Sequence, residues 1–484
     1  MFSLPLDVVL LFTLTTPIVG WISLKLRLKS LCGIYLAIGL TISGYALYEI
    51  SVNALSTPII IPLNAEPFQS CLRIDALGVF MSFTFILIGL LIAVYSIKFI
   101  KTDINVALYY TLLLAMIAGM IGVVFAGDFF TLFIFWELMC ITSYVLVAFR
   151  KQHWEPVEAG LKYLVMSSAG SATVLFGLSI LYGLTGTLNF VQLANATKTL
   201  PNGWGYISWM LILSGFGIKA AIVPLHTWLP DAYSAAPSPI SAILSAVVTE
   251  TGIYALCRTF FTAFVPLQVE WSTILAVLSV ITMTFGNITA LLQTDLKRLL
   301  AYSSIGHIGY MLTGLAVGTQ LGLTGTVLHI FNHALMKGAA FLCAGAIIYR
   351  IGKRRLDEIA GIGRKMPATT IAFGISLFAL TGMPPLNGFV SELTLFMSTV
   401  QANMAWLGIS IILNSAFSTG YVLRVIRALL QSSKEDKFKN VKEAPITMLS
   451  PICLMAALIV IFGLWPDPIL DFARKAAAGL LFTT

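Results

Sequence analysis

Eight ionisable side chains stand inside runs that are otherwise apolar. Glu137 lies in FIFWELMCITSYVLV, Lys219 in LILSGFGIKAAIVPLHTWLPDA and Glu250 in ISAILSAVVTETGIYAL. His307 lies in SSIGHIGYML, Glu392 in LNGFVSELTLF, and His329, His333 and Lys337 share VLHIFNHALMKGAAFLCAGAI. A charge in hydrocarbon is expensive, and where one persists it marks an ion pathway, a proton relay or a counter-ion. His329, His333 and Lys337 follow one another at intervals of four, so they line one helical face over about 12 Å of its axis. Histidine takes and gives protons near neutral pH. Such a column, with water in its gaps, is suited to relaying protons. Plainer readings exist. Glu137 and Lys219 also fit a structural ion pair, and His307 fits a core histidine bonded to a carbonyl. Three aligned ionisable groups on one helix are harder to satisfy without a relay. Outside this set, His226 and Asp231 read either as functional or as solvated loop residues. His153 reads as solvated, Lys162 as an interfacial residue that snorkels, and Arg73 and Asp75 as anchors at the start of the third helix.

The elements that must hold these groups follow from composition. Of 484 residues, 58% are hydrophobic and 10% charged, against about 25% charged in a soluble domain. The chain is therefore expected to be an all-α polytopic membrane protein. At about 20 apolar residues per crossing, about fourteen helices are expected, the first near 5–24 and retained rather than cleaved as a signal peptide. The eleventh, near 322–349, and the twelfth, near 367–400, are too long for simple spans, and each is expected to contain a break. Lys25, Arg27 and Lys29; Lys98 and Lys101; Arg150 and Lys151; Lys297 and Arg298; Arg350, Lys353, Arg354 and Arg355; and Lys434, Lys437, Lys439 and Lys442 all follow odd-numbered helices. Positive charge gathers on the inner side. The net charge of +8 therefore reports topology rather than nucleic-acid binding, and both termini are expected outside, in the plasma (inner) membrane.

Helix breakers lie beside the buried charges. Pro224 follows Lys219 by five residues, Pro237 and Pro239 precede the eighth helix, and TGMPPLNGF precedes Glu392. Irregular backbone at membrane depth is tolerated only inside protein or beside a water-filled cavity. Broken helices at matching places in two halves point to a transport site. Helices 7 and 12 are five apart, and an odd offset inverts topology. Two inverted five-helix repeats, helices 4–8 and 9–13, are expected. The division is 1–106 (helices 1–3 and an outside loop), 107–265 (first repeat, with Glu137 and Lys219), 266–430 (second repeat, with the helix 11 column and Glu392) and 431–484 (a basic cytoplasmic loop and helix 14). The likeness of LKYLVMSSAG to LKRLLAYSSIG does not fit this offset and is read as chance or a loop-entry preference. No phosphate-cradling glycine motif, C-x-x-C or H-E-x-x-H occurs, so no cofactor and no metal site are expected.

Together FWELMCITSYVLV, GFGIKAAIVPLHTWLPDAYSAAPSPISAIL, KRLLAYSSIGHIGYML, HALMKGAAFLCAG and GMPPLNGFVSE, in this order across about residues 70–430, resemble a known family. It is the antiporter-like subunits shared by respiratory complex I, Mrp-type sodium/proton antiporters and membrane-bound hydrogenase complexes. The resemblance implies fourteen helices with two inverted repeats and a Glu137–Lys219 pair in one half-channel. It further implies a proton path through His307 and His333, with Lys337 one turn beyond, to Glu392. One position departs. Where many relatives carry lysine in helix 8, this chain has Glu250, a carboxylate able to relay protons or, as a hard oxygen donor, to help hold sodium; Lys219 is its expected partner. No long C-terminal helix is expected, as in the shorter members.

The function implied is an ion-translocating membrane subunit, moving protons alone or in exchange for sodium, within a larger redox-driven or Mrp-type complex. Its partners are other membrane subunits and the bilayer. No redox chemistry of its own is expected; the resemblance implies a subunit of an ion-translocating oxidoreductase of the NADH:quinone oxidoreductase or hydrogenase kind. Two alternatives remain: a self-sufficient sodium/proton antiporter, and a structural subunit that conducts nothing.

Overall fold

Backbone groups in a bilayer have no water to bond, so apolar runs of this length satisfy themselves as helices. The computed structural model describes residues 4–63, 70–197, 202–265, 268–431 and 438–481. Helices α1 (Pro5–Lys25) and α2 (Leu31–Ala54) lead to an antiparallel hairpin, β1 (Ile59–Pro62) and β2 (Cys71–Ile74), paired Ile59 to Ile74. Then come α3 (Ala76–Phe99), α4 (Val106–Phe125), α5 (Phe129–Val147), α6 (Trp154–Thr185) and the short α7 (Phe190–Ala196). The middle of the chain forms α8 (Asn202–Lys219), α9 (Trp228–Ala235), α10 (Ser238–Ile243) and α11 (Thr249–Thr262), with a π-helical turn, Leu244–Val248, joining the last two. The remainder is α12 (Gln268–Leu292), α13 (Leu296–Val317), α14 (Gln320–Ile351), α15 (Pro367–Ala379), α16 (Asn387–Gln401), α17 (Ala405–Leu430), α18 (Ile446–Leu464) and α19 (Asp467–Leu481).

Among the described residues, eleven of these segments are long and apolar enough to cross a membrane unaided. The other expected crossings coincide with the more polar α13 and with the interrupted pairs α8/α9 and α15/α16. Lys434 and Lys437, two of the basic residues expected after helix 13, lie outside the described residues.

The seventh and twelfth helices are broken, as expected. Ala220–Thr227 separates α8 from α9, with Ala221 in the left-handed region at φ 54°. The indole of Trp228 donates to the freed Ile218 carbonyl at 2.7 Å, and the Val223 N–H donates to Thr282 Oγ1 at 3.2 Å. Between α15 and α16, Gly382 takes φ 68°, and a Cβ there runs into the Glu392 carboxylate. The break needs glycine both for its dihedral and for the acid it shelters.

The eleventh helix contradicts its expectation. α14 runs unbroken from Gln320 to Ile351, with every residue from Gly322 to Ile347 buried. It carries no proline, and it packs against α3, α10, α13, α15, α16, α18 and α19. It is long because it is the shared axis of the core. α6 likewise starts at Trp154, ten residues ahead of the expected 164. The π turn in the eighth helix and the terminal α19 were not foreseen. By contrast α1 and α2 leave Leu14, Trp21, Tyr45 and Tyr48 exposed, as a lipid-facing hairpin does.

Candidate functional site

The centre of the molecule is a cluster of buried imidazoles and a carboxylate. Glu250, 0% exposed, sits in the first turn of α11, directly after the π turn. A π turn spends one extra residue per hydrogen bond and re-aims the residues after it. The Leu244 carbonyl is met by the Thr249 N–H, by Thr249 Oγ1 at 2.7 Å and by the Tyr233 hydroxyl at 2.8 Å. Tyr233 comes from α9, so the broken seventh helix braces the turn that presents Glu250. Glu250 Oε1 is in direct contact with His333 Nδ1, while Glu250 Oε2 and His333 Nε2 are buried without a protein partner.

From His333 the cluster continues into α13 and back. The rings of His307 and His333 have centroids 5.0 Å apart. His307 Nδ1 and His329 Nε2 share a hydrogen bond at 3.1 Å, and His329 Nδ1 bonds Ser391 Oγ at 2.9 Å. Which nitrogen carries the proton in each pair depends on the tautomer. Ser391 precedes Glu392 at the start of α16. Ser415 Oγ donates to Glu392 Oε2 at 2.8 Å and lies 3.3 Å from the Tyr310 hydroxyl, while Glu392 Oε1 is buried and unpartnered. Asn332 and Asn387 pair reciprocally at 2.8 and 3.1 Å, tying α14 to the start of α16.

Lys219 ends α8 at the other break. Its ammonium, 2% exposed, donates to the Tyr163 hydroxyl at 2.5 Å and to Ser143 Oγ at 3.2 Å. Tyr163 lies flat on Trp228, ring centroids 4.0 Å apart, so α9 positions this hydroxyl as well. The expected Glu137–Lys219 pair is not formed. Glu137 sits on α5 on the same face as the exposed Ile134 and Ile141, is half-buried itself, and its Oε1 is buried with no hydrogen-bond partner among the described residues. Lys219 is not the partner of Glu250 either. That place belongs to His333, because the π turn directs Glu250 towards α14. Lys337, fully buried, donates to the Leu300 carbonyl at 3.0 Å. The helix 11 column is thus real as a face but divided in its contacts: His329 to His307, His333 to Glu250, Lys337 to α13.

The fold is shared with solved complexes. A chain of the Mrp complex from Dietzia sp. DQ12-45-1b superposes with a TM-score of 0.90 at 23% identity, covering 99% of this chain and 97% of that one. A chain of the membrane-bound sulfane sulfur reductase, an archaeal respiratory membrane complex, gives 0.88 at 28% identity with the same coverage. Two relatives are closer in sequence. The chain is 37% identical to F(420)H(2) dehydrogenase subunit N of Methanosarcina mazei, over 86% of each chain. It is 36% identical to NADH-quinone oxidoreductase subunit N of Trichlorobacter lovleyi, over 85% of this chain and 86% of that one. Residues 126–418 match the family described as NADH:quinone oxidoreductase/Mrp antiporter, TM. The chain belongs to this family. It is an antiporter-like membrane subunit, multi-pass, of the kind found in multi-subunit membrane complexes.

Within this antiporter-like chain, the eight sequence-predicted residues do not form a single group: His329, His333 and Lys337 lie on α14, His307 on α13, Glu137 on α5, and Lys219, Glu250 and Glu392 beside helix interruptions. Glu250, His307, His329, His333 and Glu392 assemble into a row, with Lys337 beside it. Lys219 stands apart in its hydroxyl cradle, and Glu137 is half-buried on α5 with a buried, unpartnered Oε1. Asp231, read as solvated or functional, is paired: it accepts from Lys162 at 3.0 Å and Arg298 at 2.8 Å. His226 is buried against Phe285, ring centroids 4.6 Å apart. Sequence reasoning missed Ser391, Ser415, Tyr310, Tyr163 and Ser143. Hydroxyls on apolar helices are too common to single out. The one available signal was proximity, since Ser391 adjoins Glu392 and Ser143 lies six residues after Glu137.

Proposed function

We propose that this subunit conducts protons along the buried row, within a complex driven by a redox module. The observation that carries this reading is the series of close groups from Glu250 to His333, His307 with its ring centroid 5.0 Å from that of His333, His329 and Ser391, which adjoins Glu392 in sequence. A proton on Glu250 passes to His333 Nδ1. It crosses to His307 through water and moves between His307 Nδ1 and His329 Nε2. It then leaves His329 Nδ1 for Ser391 Oγ and the adjoining Glu392. Each imidazole takes one proton on one nitrogen and releases one from the other, so its charge is restored after every transfer.

Lys219 serves as the switch. A negative charge brought near favours its ammonium, and removing that charge favours release of the proton. Glu137, half-buried on α5 with its Oε1 unpartnered, is the natural counterpart, since a buried carboxylate without a partner is costly. The names of the curated relatives favour a redox-driven complex over a self-sufficient antiporter. Support for fourteen crossings with both termini outside comes from the loop charges, and support for paired repeats comes from the two broken helices.

The test is the assembled complex in liposomes. Lys219→Ala is expected to abolish proton translocation while the complex still assembles; translocation at the wild-type rate sinks the mechanism.

A further inference from the structure

A second charged site lies away from the row, at the C-terminal end of α11. Asp75 caps α3, accepting from the Gly78 N–H at 2.9 Å. Arg258 Nη2 donates to Oδ1 of the same carboxylate at 3.0 Å, and its Nη1 lies 2.8 Å from Oδ2 as an ion pair without a hydrogen bond. Arg73, from β2, is left with a contact of 3.5 Å from Nε to Asp75 Oδ2, and that Nε has no hydrogen-bond partner. Both guanidinium groups are buried, Arg73 to 6% exposure and Arg258 to 1%. Arginine does not shed its proton, so two buried positive charges face one negative charge. Burial pushes the Asp75 carboxyl up, but Arg258, Arg73 and the Gly78 N–H outweigh it, and the net direction is downward. The acid stays ionised and cannot lessen the imbalance further.

Beside Arg73 is a cavity of about 330 Å³, lined by Leu55, Ser56, Pro58, Arg73, Asp75 and Lys475 among others. Ser56, Pro58 and Lys475 are exposed, so it opens to the surface. Lys475 projects from α19, whose inner face (Ile469, Ala473, Ala476, Ala477, Leu480) is buried and packs on α3, α11 and α14. An apolar wall and two cations, one buried and one at the rim, meet where membrane helices end.

We propose that this cavity binds a phosphate-ester anion, supplied by the headgroup of an anionic phospholipid in the adjoining leaflet. Arg73 provides the planar fork that phosphate favours, Lys475 adds a point charge at the mouth, and Leu55 and Pro58 take the glycerol end. The bound anion offsets the surplus charge beside Asp75 and secures α19 to the hairpin β1/β2.

The test is native mass spectrometry of the full purified chain with phosphatidylglycerol, phosphatidylcholine or inorganic phosphate. Phosphatidylglycerol is expected to be retained preferentially. Arg73→Gln should weaken its retention about tenfold, the loss of a hydrogen bond to a charged group. Lys475→Gln, a surface change that spares the fold, should weaken it by about two- to threefold; it decides alone if Arg73→Gln fails to fold. Arg73-dependent binding of inorganic phosphate at equal strength assigns the site to the free anion instead of the lipid. Retention of phosphatidylglycerol unchanged by both substitutions overturns the proposal.

Discussion

The two broken helices of this chain end in opposite electrostatic arrangements. At the α8/α9 break, Lys219 is one cation among hydroxyls, held by Tyr163 and Ser143 without an ion pair to any described carboxylate. At the α15/α16 break, Glu392 adjoins Ser391, the end of a series of close groups leading back through His329, His307 and His333 to Glu250. The difference separates two tasks. A lone buried cation responds to charge brought from outside the chain, because nothing within it fixes its state. A row of imidazoles and carboxylates responds weakly to outside charge but moves protons along itself. On the proposed reading, one half switches and the other conducts.

The largest effect should come from freezing the switch. Lys219→Arg keeps the positive charge but cannot release a proton near neutral pH. It is expected to be as inactive as Lys219→Ala in proteoliposome acidification, although the complex assembles. Substantial translocation with arginine breaks the distinction, since a fixed charge then suffices. Next in size is a cut in the row. His329→Phe removes both the His307 and Ser391 bonds while filling the space, and the initial translocation rate should fall about tenfold or more, the scale of losing a positioned acid–base group.

A smaller change is predicted at the lysine cradle. Tyr163→Phe removes the short hydrogen bond to Lys219 but leaves the ring on Trp228. Losing a bond to a charged group should alter the rate by about three- to tenfold, read by the same assay across pH, with the pH optimum moved because the ammonium has lost an acceptor. Ser391→Ala should be mildest, about two- to threefold, since a water molecule can replace a hydroxyl at little cost. If Ser391→Ala proves as severe as His329→Phe, the serine is an obligatory carrier and the row is tighter than described.

Much of this comparison was legible in the sequence. Both breaks were visible from Pro224 and from the Gly382–Gly388 stretch, because proline and glycine act locally. The shared face of His329, His333 and Lys337 followed from spacing alone. Pairing did not. Nothing local in TETGIY announces a π turn. That turn, braced by Tyr233 across a break, decides that Glu250 meets His333 rather than Lys219. The unbroken α14 was missed for a related reason: length suggests a break only when a helix is assumed to end at the bilayer surface. Glu137 was paired with Lys219 by likeness to relatives, whereas its Oε1 is buried without a hydrogen-bond partner among the described residues; side-chain pairing across helices is not written in local sequence.

Glu250 joins the two halves, since it lies on the helix that follows the lysine's and touches the first histidine of the row. The most direct measurement is therefore proton translocation by the assembled, reconstituted complex carrying Glu250→Gln, with Glu250→Asp as its control and sodium varied. Glutamine preserves shape and hydrogen bonding but cannot carry the proton. The account predicts collapse of translocation with glutamine, partial recovery with aspartate and no dependence on sodium. Wild-type translocation by Glu250→Gln contradicts it.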